Sequence, residues 1–136
     1  MKLPLKLEYA CRVLIQLKPT FLSGEVRRVE TLAESEKISS NYLVQILNEL
    51  RTAGLVESRR GKKGGYILAR DPADITLGDV VRATEGVFLQ LNNSEEGESS
   101  ELIANVWREI FAKVDAELDR LRLSEMEGEA AEMWHI

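Results

Sequence analysis

Cys11 and His135 are the only cysteine and the only histidine in this chain of 136 residues. One thiol cannot close an intrachain disulfide, and one thiol with one imidazole cannot build an ordinary zinc site from protein ligands. Packing must therefore hold the fold, without a disulfide or a metal. No apolar run approaches the length of a membrane span, and the opening MKLPLKLEYA lacks the continuous apolar core of a signal peptide, so a cytoplasmic protein is expected. Catalytic groupings are missing too. There is no Ser/His/Asp or Cys/His arrangement, no phosphate-binding glycine loop opening a helix, and no acid pair with a pocket to raise a pKa. The expectation is a protein that is not an enzyme, with no metal and no cofactor.

What is present suits a soluble globular domain: 44% of residues are apolar and 30% are charged. The length fits one domain, or one compact domain with an oligomerising extension. The net charge of -5 hides a division along the chain. Residues 1–72 hold 13 Lys+Arg against 8 Asp+Glu, and residues 73–136 hold 5 against 15. The first part is basic and suited to nucleic acid, while the acidity belongs to the second.

Leu5, Leu7, Tyr9, Ala10, Val13, Leu14 and Leu17 form a helical stripe that Pro19 and the Ser23-Gly24 pair end. Val29, Leu32 and Ala33 predict a short second helix stopping near Glu36 or Lys37, with a turn over residues 37–39. Ser39 or Ser40 can cap a third helix. Its apolar face is Tyr42, Leu43, Ile46, Leu47 and Leu50, which leaves Asn41, Val44, Gln45, Asn48 and Arg51 on or near the other side. Gly54 suits the left-handed position that closes it. Two β-prone segments, residues 55–58 and 66–69, flank RRGKKGG, which supplies turn glycines and four cations. After the break at Asp71-Pro72, Thr76 caps a fourth helix with apolar Leu77, Val80, Val81 and Ala83, stopped by Gly86.

The organisation read from this pattern is mainly α with a small two-stranded β wing: a winged helix-turn-helix plus a long C-terminal dimerisation helix. Residues 1–86 form the DNA-binding domain, 87–100 a flexible loop, 101–125 the dimerisation helix and 126–136 an acidic tail. In the long helix Leu102, Ile103, Val106, Trp107, Ile110, Phe111, Val114, Leu118 and Leu121 recur every three or four residues. A stripe of this length exceeds what a small wing can cover. Ile103, Trp107, Ile110, Phe111, Val114, Leu118 and Leu121 are therefore assigned to a homodimer contact.

Arg59, Arg60, Lys62 and Lys63 crowd a hairpin tip where a core has no use for them, and phosphate gives such a cluster a favourable partner. Either arginine can reach a narrow minor groove, and the lysines suit phosphates. A solvated charged turn is the plain alternative. On the third helix, Asn41 and Gln45 have the chemistry to pair with adenine edges, while Ser39, Ser40 and Tyr42 can hold phosphates. Tyr42 can equally be half buried. Arg27 and Arg28, just before the second helix, either clamp the adjoining DNA backbone or are simply exposed. Cys11 lies among apolar neighbours and reads as a small buried hydrophobe.

With LEYACRVLIQL in the first helix, SSNYLVQILNELRTAGLVESRRGKKGGYILAR through the reading helix and wing, and ITLGDVVRATEG after them, the chain resembles the Rrf2 family of bacterial winged-helix transcription regulators. The resemblance implies a homodimer whose long helices cross, with each winged helix meeting half of a palindromic site in double-stranded DNA. The family's DNA contacts fall on Ser39, Asn41, Tyr42 and Gln45, and on Arg60 and Gly61 in the wing. Where many members carry glutamate between the Leu and Gln of this helix, this chain has Val44. Many members hold an iron–sulfur cluster on three cysteines after the fourth helix, but residues 87–105 contain none here, so no cluster is expected. The ending Glu132-Met133-Trp134-His135-Ile136 resembles the cysteine-metabolism repressors of the family, whose partner is cysteine synthase. Met133, Trp134, His135 and Ile136 then form a partner-binding tail, with the free carboxylate suited to an amino-acid pocket. Their alternatives are a frayed terminus or packing of Met133 and Trp134 on the dimer helix. The expected function is a dimeric DNA-binding regulator, with repression the expected mode. The rival reading is a protein-interaction module that binds cysteine synthase through the tail.

Overall fold

Residues 2–92 and 96–127 are described by a computed structural model of the chain. Its first helix, α1 (Leu5–Leu17), buries Leu7, Ala10, Val13, Leu14 and Leu17, spaced so that all five fall on one side. Pro19 then sits in a single 3-10 turn, Lys18–Thr20. Helix α2 (Val29–Glu36) buries Leu32 and Ala33 and ends on Lys37, whose φ of 58° is left-handed. That sharp exit starts the turn into α3 (Ser40–Thr52). Ser39 caps α3 by accepting a hydrogen bond from the Tyr42 amide at 3.2 Å. Leu43, Ile46, Leu47 and Leu50 of α3 have no exposed surface, and each such leucine contributes roughly 2 kcal/mol of hydrophobic stabilisation.

The chain then forms an antiparallel hairpin of β1 (Val56–Arg59) and β2 (Gly65–Leu68), in the register Val56↔Leu68 through Arg59↔Gly65. Val56, Ile67 and Leu68 anchor its base in the core, and the remaining strand positions of β1 are exposed. Next comes α4 (Leu77–Glu85), started by a reciprocal capping box: Thr76 accepts from the Asp79 amide at 3.1 Å, and Asp79 accepts from the Thr76 amide at 2.9 Å. Val80 and Val81 complete the core against α1 and α3.

Helix α5 (Ser100–Arg120) buries none of its residues within the chain. It meets α4 near its C-terminal end, where Arg82 donates to Asp119 at 2.8 Å. The helix expected to continue to residue 125 ends instead at Arg120, because Leu121 turns to an extended conformation. The cause is Leu123, which is drawn into the core. Its amide donates to the Ile75 carbonyl at 2.8 Å, and the Leu77 amide donates to the Leu121 carbonyl at the same distance. Lys18 Nζ fastens the segment further by donating to the Met126 carbonyl at 2.6 Å. The root of the acidic tail is thus held against α1.

Candidate nucleic-acid interface

Helix α3 follows α2 through the three-residue turn 37–39, and the two helices pack on each other. Its buried face leaves Ser40, Asn41, Val44, Gln45, Asn48, Arg51 and Thr52 exposed. Ser39 is exposed as well, although its side-chain oxygen serves the cap. No acidic residue occupies the first turn, so the positive end of the helix dipole is available to an anion. Tyr42 is half-buried, edge-on to Tyr9 with ring centroids 5.9 Å apart. The half-buried reading of Tyr42 is thus the one the fold bears out: packing fixes the ring and leaves some of it accessible.

The hairpin leaves α3 almost at once, and α3 and β1 remain in contact. At its tip Arg59, Arg60, Gly61, Lys62 and Lys63 are all exposed. Among the described residues the one ion pair at this tip joins Arg59 to Glu57 at 3.4 Å, and such a solvated pair contributes little. Gly61 has a φ of +112°. Gly64 is required by proximity instead: a Cβ there would lie 2.4 Å from the Arg59 carbonyl oxygen.

Arg27 and Arg28 part company. The Arg27 backbone pairs with Tyr66 of the hairpin, and its guanidinium donates to the Gln16 carbonyl at 3.1 Å. Arg28 is exposed and lies 3.8 Å from Glu30. The structure therefore brings the segment before α2 alongside the wing, a juxtaposition the sequence reading missed. Its one sequence signal is the doubled glycine of RGKKGGY, since Gly65 permits the close approach.

On α5, Ile103, Trp107 and Ile110 are 51%, 45% and 42% exposed, and Leu102 and Val106 extend the uncovered patch. Phe111, Val114, Leu118 and Leu121 are half-buried. Trp107 and Phe111 touch, with ring centroids 5.9 Å apart, and Leu118 packs on the core of the winged-helix part of the same chain. Met133, Trp134, His135 and Ile136 lie outside the described residues. Cys11 is largely enclosed in α1, where burial first, and then the negative charge of Glu8, pushes its thiol up to about 11. It is a protonated packing group at neutral pH.

A family model described as Rrf2, iron-dependent transcriptional regulator, matches residues 3–128. The HTH-type transcriptional regulator CymR of Bacillus subtilis is 32% identical, with 93% of this chain and 89% of CymR covered. The solved structure of CymR, described as the global cysteine regulator of B. subtilis, superposes with a TM-score of 0.80 at 31% identity, covering 93% of this chain and 95% of that one. The structure of T. potens IscR gives 0.77 at 35% identity, covering 96% and 88%.

The iron of the family description does not fit the donors present. Three thiolates are the usual minimum for a cluster with one further ligand, and this chain has one cysteine, which is kept protonated inside α1. Among the described residues no group of three His, Cys, Asp or Glu side chains could hold a metal ion. The match over nearly the whole chain and the shared fold nonetheless settle the relationship: the chain belongs to the Rrf2 family of winged helix-turn-helix, DNA-binding transcription regulators.

Proposed function

We propose that the protein is a homodimeric repressor that occupies a palindromic operator, without an iron–sulfur cluster. The observation that carries this reading is the joining of two surfaces in one stretch of chain. Helix α3 has a capped N-terminus and a polar outer side, and it leads directly into a hairpin tip with four exposed cations in five positions. In a duplex, α3 enters the major groove with Asn41 and Gln45 toward base edges, while Ser39, Ser40 and Tyr42 hold phosphates. Arg59, Arg60, Gly61, Lys62 and Lys63 follow the flanking backbone and minor groove. Arg28 extends the phosphate contacts, and Arg27, tied to Gln16 and Tyr66, holds that segment against the wing. Two copies joined through α5 place the reading helices in successive major grooves, roughly 34 Å apart.

Likeness to CymR favours genes of cysteine or sulfur metabolism as targets and a cytoplasmic site of action. Selection of duplexes from a random pool by the purified full-length protein tests the whole reading. The expected product is an inverted repeat bound by two copies; a protomer that selects no duplex at low salt overturns it.

A second reading gives the acidic tail a partner of its own. Lys18 holds the tail's root through the Met126 carbonyl and lies 3.7 Å from Glu127. Cysteine synthase is the partner we propose, on the strength of the C-terminal sequence, with the tail acting alongside DNA binding or as the working end of an interaction module.

A further inference from the structure

Val44 is the one apolar side chain on the outer side of the reading helix. Around it Ser40, Asn41, Gln45, Asn48, Arg51 and Thr52 all carry hydrogen-bonding groups, and every other aliphatic residue of α3 is buried. Val44 itself is 37% exposed. Helix propensity gives no reason for it, because a β-branched residue is among the poorer helix formers. Nor does the protomer's core reach it: its neighbours one turn away on either side, Ser40 and Asn48, are exposed too.

In a major groove, base edges present donors and acceptors at every pair and a single kind of apolar group, the 5-methyl of thymine. A valine set against a polar edge would strip water from that edge without replacing its hydrogen bonds, which is unfavourable. Against a thymine methyl the same side chain buries apolar surface on both partners. We infer that Val44 packs on the 5-methyl group of one thymine in each half-site, and so makes the protein prefer thymine to cytosine at that position. The inference rests on the proposed entry of α3 into the major groove and adds the base that its apolar residue selects.

Deoxyuridine isolates the contact, because it keeps every hydrogen-bonding group of thymine and removes only the methyl. Duplexes selected by the full-length protein are remade with each half-site thymine replaced in turn by deoxyuridine, and affinities are measured for the wild type and for Val44→Ala. The wild type is expected to lose about three- to fivefold at one position per half-site, the worth of one buried methyl-sized group. Val44→Ala should be indifferent to the methyl at that position. A wild type insensitive to deoxyuridine at every position overturns the inference, as does a penalty that persists undiminished in Val44→Ala. Failure to select any duplex would sink the DNA-reading role of α3 itself, and so is distinct from selection without methyl sensitivity. Because Val44 lies outside the core, the alanine variant tests recognition without disturbing the fold.

Discussion

Arg27 and Tyr66 exchange both of their backbone hydrogen bonds, at 2.9 and 2.8 Å. This pair makes the segment before α2 a short third rung beside the wing and ties the hairpin to the start of the helix-turn-helix. Gly65 makes the approach possible, because a Cβ there would stand 2.4 Å from the Arg27 carbonyl oxygen. Backbone cannot yield as a flexible side chain would. Gly65→Ala is therefore expected to destabilise the fold by about 1–3 kcal/mol in urea unfolding. It should also weaken operator binding, since the wing loses its fixed attitude. An alanine variant as stable as the wild type would show that the rung is dispensable.

The wing tip carries charge with little internal compensation, so its contribution belongs to counterion release. Replacing Arg59 and Arg60 by alanine should weaken duplex binding. The slope of log affinity against log salt should become shallower by about 1 for each phosphate that is no longer neutralised. Titrations at several salt concentrations measure this directly. Gln45→Ala should behave differently, changing discrimination among base sequences by roughly 1–3 kcal/mol. A loss at Gln45 that is equal for every sequence would make it a positioning residue.

Asp79 links the start of α4 to α5 through Arg82, which donates to Asp79 at 3.1 Å and to Asp119 at 2.8 Å. Burial pushes the Asp79 carboxyl up, but the Thr76 amide and then the Arg82 guanidinium outweigh it, and the net displacement is downward from 3.8. A carboxyl held below its unfolded value stabilises the fold above that value, and the contribution fades as pH falls through the lowered one. Asp79→Asn is accordingly expected to cost about 1 kcal/mol at neutral pH. The gap should narrow below about pH 4. Unfolding curves of the two proteins at pH 7 and pH 3 check the sign, and a gap that widens in acid would contradict it.

Periodicity made the helices legible. The apolar residues of α1, α3 and α4 recur with the period of a helix, and Ser39, Thr76 and Gly86 punctuate their ends in ways that depend only on local chemistry. The wing was legible because its turn glycines and cations are contiguous. What escaped were relationships between distant segments. Nothing near Arg27 announces Tyr66 as its partner, and nothing in the run to Leu121 tells that Leu123 will be drawn beside Ile75 and end the helix early. Such contacts are decided by the shape left over when the local elements pack. The split between Arg27 and Arg28 was likewise invisible, since adjacent arginines differ only in what each meets in the folded chain.

The tail offers a separable test, because its proposed partner is not DNA. Removing residues 133–136 should abolish association with cysteine synthase while leaving operator affinity unchanged. Pull-down and duplex titration on the same truncated protein report the two independently. Undiminished association after the deletion would remove the tail from the interface.

The stripe on α5 bears on assembly. Leu102, Ile103, Val106, Trp107 and Ile110 of α5 are all exposed apolar residues at helical spacing, and contiguous exposed apolar surface marks association surfaces. Because α5 contributes no fully buried side chain to its own protomer, charge can be placed on the stripe without opening the core. Trp107→Glu with Ile110→Glu should therefore convert the proposed dimer to a monomer in sedimentation while leaving the winged-helix domain folded by circular dichroism. DNA affinity should drop by roughly a hundredfold or more, because the second half-site would no longer be presented at high effective concentration. A doubly charged variant that stays dimeric would move the interface off this helix. One that becomes monomeric yet keeps full affinity would instead show that a single winged helix suffices for the operator.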